Sequence, residues 1–278
     1  MKLTLYTAAI ISFAIFALQS CVKKNGDSQL IGRIAKQYKI TMATTNENFV
    51  VASPFSTTQM SFQILDDKSI NYEVFVDSAN RKGDVVTAVE VRLGNPMTDN
   101  GPLLVSLTGK FRAGWATGLV AGVRQTLLDT IMNDNIPKYI NVLTGREPLG
   151  LVRGQINSDI VISNNAFLLG NNFRPVVSTL TTGVAYIRVT ADQNLYSKIV
   201  ISNDEVADPV QGALLNVGSV MDNTGINISV LASNPGALLT PKIVILTAGQ
   251  FTQFVAGMSY VSVTSAAYPR GKIGGQIK

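Results

Sequence analysis

Short stretches of this chain alternate between apolar and polar residues, a pattern typical of strands that bury one face. Val89, Val91 and Leu93, for example, are separated by Glu90 and Arg92. Side chains two positions apart lie on one face of a strand, so the apolar set is expected to face a core. Turn-forming Gly, Pro, Asp and Asn residues separate the runs. Many short strands at this spacing predict an all-β fold of the sandwich or barrel type.

Two segments depart from this alternation and have helical spacing instead. Residues 126–132 place Leu127, Leu128 and Ile131 on one side of a helix, and residues 250–258 repeat the spacing with aromatic and aliphatic side chains. The sequence therefore predicts one short helix, or helical turn, in each half of the chain.

One motif occurs twice. A run that begins at Tyr139 leads through a Pro and Gly turn to a segment ending at Ile156, and a similar run from Tyr260 ends at Ile277. These copies are offset by 121 residues, and an offset of 124 relates the preceding parts of the chain. A period this long is expected of whole domains. The offset of 124 pairs Thr57 with Thr181, Phe62 with Tyr186, Tyr72 with Tyr196, Gly94 with Gly218 and Gly101 with Gly225.

The repeat predicts two tandem β-sandwich domains of the Greek-key or Ig-like type, each with one short helix. Their predicted bounds are residues 46–158 and 164–278, joined by residues 157–165. Arg153 in the first copy is replaced by Gly274 in the second. We interpret Arg153 as structural, and the motif's glycines as places where backbones in a sheet approach closely.

The N-terminus has the features of a secretory signal. Lys2 precedes an apolar run that ends at Leu18, and the run is shorter than the ~20 residues that span a bilayer. The order Leu-Gln-Ser-Cys resembles a bacterial lipobox, so residues 1–20 are predicted to be a signal peptide and Cys21 to carry the lipid. The alternatives are an uncleaved membrane anchor and an ordinary signal followed by an incidental cysteine.

The segment after Cys21 is predicted to be a tether that covers residues 21–45. It begins with polar residues that show no periodicity. Its last part, residues 30–45, has apolar positions that fit either a short helix or an initial strand. The sequence leaves both alternatives open.

The composition excludes several kinds of site. The chain has no histidine, and Cys21 is its only cysteine. The commonest general base and transition-metal ligand are therefore missing, and disulfides within the chain are excluded. The net charge is +5, but the basic residues form no stripe, so no nucleic-acid partner is expected.

Several acidic turns are candidate calcium ligands by residue type alone. None matches a loop that would supply the ~6–8 oxygen ligands of calcium, so we interpret them as ordinary turns and predict no metal or cofactor. No candidate nucleophile has a general base at a suitable spacing in the sequence. No catalytic residue is therefore predicted, and the protein is not expected to be an enzyme. The candidate turns are residues 66–67, 99–100, 133–135, 203–205 and 222–223.

The repeated motif resembles the ending of a CHRD domain, the module first defined in chordin and frequent in bacterial secreted proteins. The resemblance rests on residues 139–144 followed by residues 151–156, on residues 89–94, and on the turn at residues 100–101. The second copy carries the same frame. The resemblance implies a β-sandwich in each copy.

The chain departs from the family at the positions where relatives carry histidine. The three imidazoles of those relatives could converge on one strand face, but no such triad is possible here. Metal chemistry of the family therefore cannot be carried over, and Glu90 and Arg92 are expected to pair with each other. The histidine positions correspond to Glu90, Arg92 and Leu143 in the first copy and to Leu214, Asn216 and Thr264 in the second.

These observations predict an envelope lipoprotein, held to a membrane, such as the outer membrane, through Cys21 and facing the periplasm or the cell surface. Its two CHRD-like domains are expected to act as a non-catalytic binding or structural module. The expected partner is a surface protein or a glycan. The alternative is a degenerate module that binds calcium or retains an enzymatic activity.

Overall fold

The fold is described here from a computed structural model that covers residues 32–53 and 55–277. These described residues form one compact unit. The predicted signal peptide, residues 1–20, and Cys21 lie outside the described residues. In the described part of the chain, no helix is long and apolar enough to cross a membrane.

Most regular structure in the described residues is β-strand, which confirms the all-β prediction. The strands are β1 (Ile34–Ala43), β2 (Thr57–Leu65), β3 (Ile70–Phe75), β4 (Val86–Leu93), β5 (Leu103–Ser106), β6 (Lys110–Arg112), β7 (Trp115–Val120), β8 (Lys138–Thr144), β9 (Val152–Gln155), β10 (Ile160–Leu168), β11 (Thr182–Thr190), β12 (Asn194–Ser202), β13 (Val210–Val217), β14 (Ile226–Ala232), β15 (Lys242–Ile245), β16 (Ser259–Ser265) and β17 (Ile273–Gln276). The helices are α1 (Asp77–Arg81), α2 (Gln125–Met132) and α3 (Ala248–Ala256).

The predicted helices correspond to α2 and α3. Thr247 and Gln250 form a capping box at the start of α3, which satisfies backbone donors that a helix leaves unpaired. The first half also contains α1, so the prediction of one helix per half is wrong there. This five-residue helix, in which Arg81 lies 2.7 Å from Asp77, is too short to show helical periodicity in the sequence.

The strands of the first half, β1 to β9, form one antiparallel sheet in the order β5-β4-β8-β9-β1-β2-β3-β7-β6. The second half, β10 to β17, has two sheets with the orders β10-β11-β12-β15 and β14-β13-β16-β17. A single bridge between Leu169 and Gly274 joins these two sheets. It lies where Ala43 pairs with Arg153 in the first half.

Each half has its own apolar core. One cluster of buried side chains includes Phe62 and Val91 and draws only on residues between Tyr38 and Ile156. A second includes Phe254 and draws only on residues 166–277. The alternating apolar positions of the sequence supply these clusters, because alternate side chains of each strand face inward.

The predicted tether and linker both include residues that belong to strands. Within the tether, β1 pairs with β2 in the middle of the nine-stranded sheet, so the tether prediction is too long and the initial-strand alternative applies. Within the predicted linker, Ile160 begins β10 and pairs with Thr190 of β11. Regular strands therefore occupy parts of both segments that the sequence predicted to be irregular.

The strand pairing also corrects the offset inferred for β2 and β3. The equivalent bridges Ala43–Arg153 and Leu169–Gly274 make Ile40 of β1 equivalent to Ala166 of β10. Met60 pairs with Ile40 and Ala185 pairs with Ala166, so Met60 corresponds to Ala185 and the offset between β2 and β11 is 125 residues. Tyr72 therefore does not correspond to Tyr196. A one-residue slip reverses the face on which every side chain lies.

The tyrosines of the second half accordingly point away from its core. Tyr186 lies between Ala185 and Ile187, which are both members of the second core cluster, and so faces the opposite side. Tyr196 lines a cleft with Lys138 of the first half. The pairing of Phe62 with Tyr186 in the sequence is therefore wrong as well.

Candidate functional site

Glu90, Arg92 and Leu143 lie on one face of the sheet, which we call the outer face. Glu90 pairs with Asn141 across β4 and β8, and Leu143 pairs with Ala88 two residues earlier on β4. Val91 lies between Glu90 and Arg92 and faces the core, where it is fully buried. The face predicted from alternation is therefore the face that forms.

The second half builds the same outer face from β13, β16 and β17. Leu214 pairs with Ser262, as Glu90 pairs with Asn141, and Asn216 pairs with Tyr260. The same pairing register therefore holds different side chains in the two halves.

In the first half, charged side chains fill the outer face. Arg92 Nε lies 2.7 Å from Glu90 Oε2, so the expected pairing of these residues is present. Arg92 Nη1 also donates to Asn100 Oδ1 at 2.9 Å and to the carbonyl oxygen of Gly101 at 2.7 Å. The long Arg92 side chain thereby connects β4 to the turn at residues 99–101.

Arg153 covers another part of this face. Its guanidinium lies over the ring of Tyr139, with Cζ 3.5 Å from the ring centroid. Nη1 and Nη2 donate to the carbonyl oxygens of Thr98 and Asn95 at 2.7 and 2.8 Å. Burial lowers the pKa of Arg153. These contacts hold a loop to the sheet, which is a structural role.

Glu47, which no sequence pattern singles out, is buried beside this arginine. The Glu47 carboxyl group packs against Gly150, because a Cβ atom on that glycine would lie only 2.5 Å from Glu47 Oε1. Oε1 has no hydrogen-bond partner among the described residues. Burial raises the pKa of Glu47 to about 7, and the charges of Arg153 and Arg188 oppose that rise.

Arg188 links the two halves at this point. It extends from β11, is fully buried, and donates from Nη2 to the main-chain oxygen of Glu47 and from Nη1 to that of Asn164 at 2.8 Å. Burial, together with the charge of Arg153, lowers the pKa of Arg188 to about 9. An exposed contact, in which Lys198 Nζ lies 2.7 Å from Asp99 Oδ2, crosses the same junction.

In the second half, small and apolar residues replace these charges. Asn216 stands where the first half has Arg92 and donates to Ser262 Oγ at 3.0 Å. Phe173 occupies the place of Glu47, since a Cβ on Gly271 would lie 2.6 Å from Phe173 Cζ. The same ring carbon would lie 2.5 Å from a Cβ on Gly274, the counterpart of Arg153.

The shorter side chains leave two adjoining clefts on the second half. One, of about 400 Å³, is lined by Asn216, Thr224 and Tyr260 among others. The other, of about 420 Å³, is lined by Phe173 and Tyr268 among others. The residues shared by both clefts are Asn223, Pro269 and Arg270.

Arg270 is the charged residue common to both clefts. It is exposed, and its guanidinium makes no hydrogen bond or ion pair with any residue in the described ranges. Its counterpart in the first half is Leu149, which is also exposed. An unpaired guanidinium beside a row of amide side chains is able to bind an anionic group and neighbouring hydroxyls.

The acidic turns that were considered as calcium sites have partners of other kinds. Asp66 accepts from the backbone of Arg33, and Asp67 accepts from Ser69. Glu205 lies 2.9 Å from Lys272. Within residues 32–53 and 55–277, no three His, Cys, Asp or Glu side chains are grouped as metal ligands would be.

Sequence reasoning missed Glu47, Phe173 and Arg188. Arg188 had a visible signal, because it is the charged residue within the apolar β11 run. For Glu47 and Phe173 the signals were Gly150 and Gly271, since a glycine can mark the close approach of a neighbour as well as a turn. The identity of that neighbour depends on a segment distant in the sequence.

Comparison with known proteins identifies one domain. A family model described as CHRD domain matches residues 165–277. No curated protein and no solved structure was found to match the chain. The CHRD family is not known for enzymatic activity and suggests a binding or structural module. Residues 165–277, which include the outer face with the two clefts, thus match the CHRD domain model.

Proposed function

We propose that this chain is an envelope lipoprotein, anchored through Cys21, whose two CHRD-like domains form a non-catalytic binding module. The observation that carries the binding role is the unpaired guanidinium of Arg270 at the junction of two clefts. Sites that bind small ligands are concave and contain a few polar groups with free hydrogen-bonding capacity. The expected partner is a glycan or protein of the cell surface.

The assignment of a second CHRD-like domain to the first half, with β1 added to the predicted residues 46–158, is supported by matched hydrogen bonds. Gly101 N donates to Tyr139 Oη at 3.1 Å, and Gly225 N donates to Tyr260 Oη at 3.2 Å. Gly94 and its counterpart, Gly218, have φ angles of +143° and +134°, a region that favours glycine. Similar positions therefore do similar structural work in both halves.

The first domain contributes support rather than a second site in this proposal. Arg92 and Arg153 fill its outer face, and Arg188 joins it to the second domain through a buried hydrogen bond to the main-chain oxygen of Glu47. A buried arginine with several acceptors fixes geometry more firmly than an exposed ion pair does. The second domain, which carries the clefts, is thus held against the first by a buried hydrogen bond.

The anchor is tested by expressing the full chain and its Cys21→Ala variant in a bacterium that processes lipoproteins. We expect the wild type in the membrane fraction, with intact mass equal to residues 21–278 plus acyl groups. The variant is expected to lack acyl groups. Unmodified wild type in the soluble fraction would contradict the anchor.

Binding is tested separately with the full chain in detergent, screened against immobilised glycans and surface-protein extracts. We expect saturable binding that Arg270→Leu weakens. Saturable binding that is unaffected by Arg270→Leu would place the partner elsewhere on the molecule. The absence of saturable binding to any glycan or protein would contradict the binding role.

A further inference from the structure

The chemistry of the two clefts indicates a class of ligand. We infer that they bind a saccharide that carries carboxylate groups, as a uronic-acid oligosaccharide does, with the carboxylate paired to Arg270. The inference rests on the proposed binding function and names the ligand of the same site.

The charges along the clefts favour an anionic ligand. Arg270 lines both clefts, and Arg174 and Asp222 are the other charged lining residues of the larger one. Arg174 directs Nη1 to the carbonyl oxygens of Asn171 and Phe173. Arg270 has no such partner in the described ranges, so its planar fork of donors is free to bind a carboxylate in a bidentate manner.

The uncharged lining favours a sugar over a simple anion. Asn216, Asn223 and Asn227 bring amide groups, which both donate and accept hydrogen bonds, to the cleft that also contains Arg270. Sugar hydroxyls need partners of both kinds. In the adjoining cleft, the partly exposed ring of Tyr268 and the flat side chain of Pro269 give apolar surface against which a sugar ring can lie.

The equivalent place in the first half has side chains that do not form such a site. Arg92 extends across the outer face to Asn100 and Gly101, and the counterpart of Arg270 is Leu149. The open cleft therefore depends on a short residue at 216, and its binding of an anion depends on the cation at 270. Asn216→Arg and Arg270→Leu place the first-half residues in the second half, and the strand pairing at position 216 accommodates an arginine in the first half.

The test is titration calorimetry of the full chain in detergent with oligogalacturonate. A neutral galactose oligomer of equal length and poly-L-glutamate serve as comparison ligands. We expect oligogalacturonate to bind at least ten times more tightly than either one. Arg270→Leu and Asn216→Arg should each weaken that binding at least tenfold, with melting temperatures that show intact folding.

The matched control is Arg146→Leu, which removes an exposed arginine from the corresponding turn of the first half and should leave the affinity unchanged. Equal affinity for poly-L-glutamate would overturn the inference in favour of an acidic peptide. Undiminished binding by both cleft variants, or no binding of oligogalacturonate, would also overturn it. If a different ligand from the screen still depends on Arg270, only the ligand class is wrong and the binding function stands.

Discussion

Arg153 lies over the ring of Tyr139, with Cζ 3.5 Å from the ring centroid, whereas the corresponding ring of the second half, Tyr260, belongs to an apolar cluster with Phe173. Both arrangements cover the same tyrosine position. In the first half a cation extends from β9, and in the second a phenyl ring comes from the segment after β10 while β17 supplies Gly274. The covering group and the glycine are therefore coupled.

This coupling predicts that Gly274→Ala is destabilising. The added Cβ would lie 2.5 Å from Phe173 Cζ and 3.0 Å from the carbonyl oxygen of Val261. Overpacking of this kind costs about 1–3 kcal/mol of the free energy of unfolding, which urea denaturation measures. The control is Gly249→Ala in α3, where a Cβ meets nothing within 4 Å. That variant should be neutral or up to about 1 kcal/mol more stable. Equal midpoints for Gly274→Ala and wild type would refute the coupling.

The buried junction predicts a larger loss for Arg188→Met. The substitution leaves the main-chain oxygens of Glu47 and Asn164 without these charged donors. Leaving a buried acceptor without its donor costs about 1–3 kcal/mol, and more than one acceptor is affected, so the urea midpoint should fall markedly. Arg146→Met, at an exposed arginine, should stay within about 0.5 kcal/mol of wild type. If both variants unfold like wild type, the junction does not depend on Arg188.

Strand positions and the outer face could be predicted because they depend on local alternation. Glu90 and Arg92 lie on the expected face, and α2 and α3 lie where helical spacing indicated. The offset predicted for β2 and β3 was wrong because Tyr72 was matched with Tyr196 on the similarity of their side chains. Cross-strand pairing decides the face on which a side chain lies, and the sequence of one strand does not display it.

The clefts could not be predicted, for a different reason. They depend on the length difference between Arg92 and Asn216 and on where Phe173 packs. Phe173 reaches Gly271 and Gly274 across about a hundred residues of chain. The glycines signalled that something lies close, but only the fold determines whether it is Glu47 or a phenyl ring.

The raised pKa of Glu47 predicts a stability that falls as pH rises. Burial raises this pKa to about 7 from the model-peptide value of about 4.5. The folded protein therefore binds the proton more tightly than the unfolded chain, and this contribution is complete below about pH 4.5 and lost by about pH 7. Glu47→Gln resembles the protonated form. Its stability relative to wild type should rise by roughly 2–3 kcal/mol between pH 5 and pH 8, as urea midpoints at each pH will show. A difference that does not vary with pH would contradict this assignment.

Glu205 predicts the opposite dependence at lower pH. Its carboxylate accepts hydrogen bonds from Leu180 N and Thr179 Oγ1 and lies 2.9 Å from Lys272 Nζ, and these contacts lower its pKa to about 2. A lowered pKa stabilises the fold above the unfolded value of about 4.5, and the contribution is lost as pH falls towards 2. Glu205→Gln should therefore be less stable than wild type at pH 6, and the gap should narrow on acidification. Because Glu47→Gln changes stability in a separate pH window and with the opposite sign, the two variants are controls for each other. If the difference in the free energy of unfolding between the two proteins stayed constant from pH 6 to pH 2, these contacts would not be the cause of a lowered pKa of Glu205.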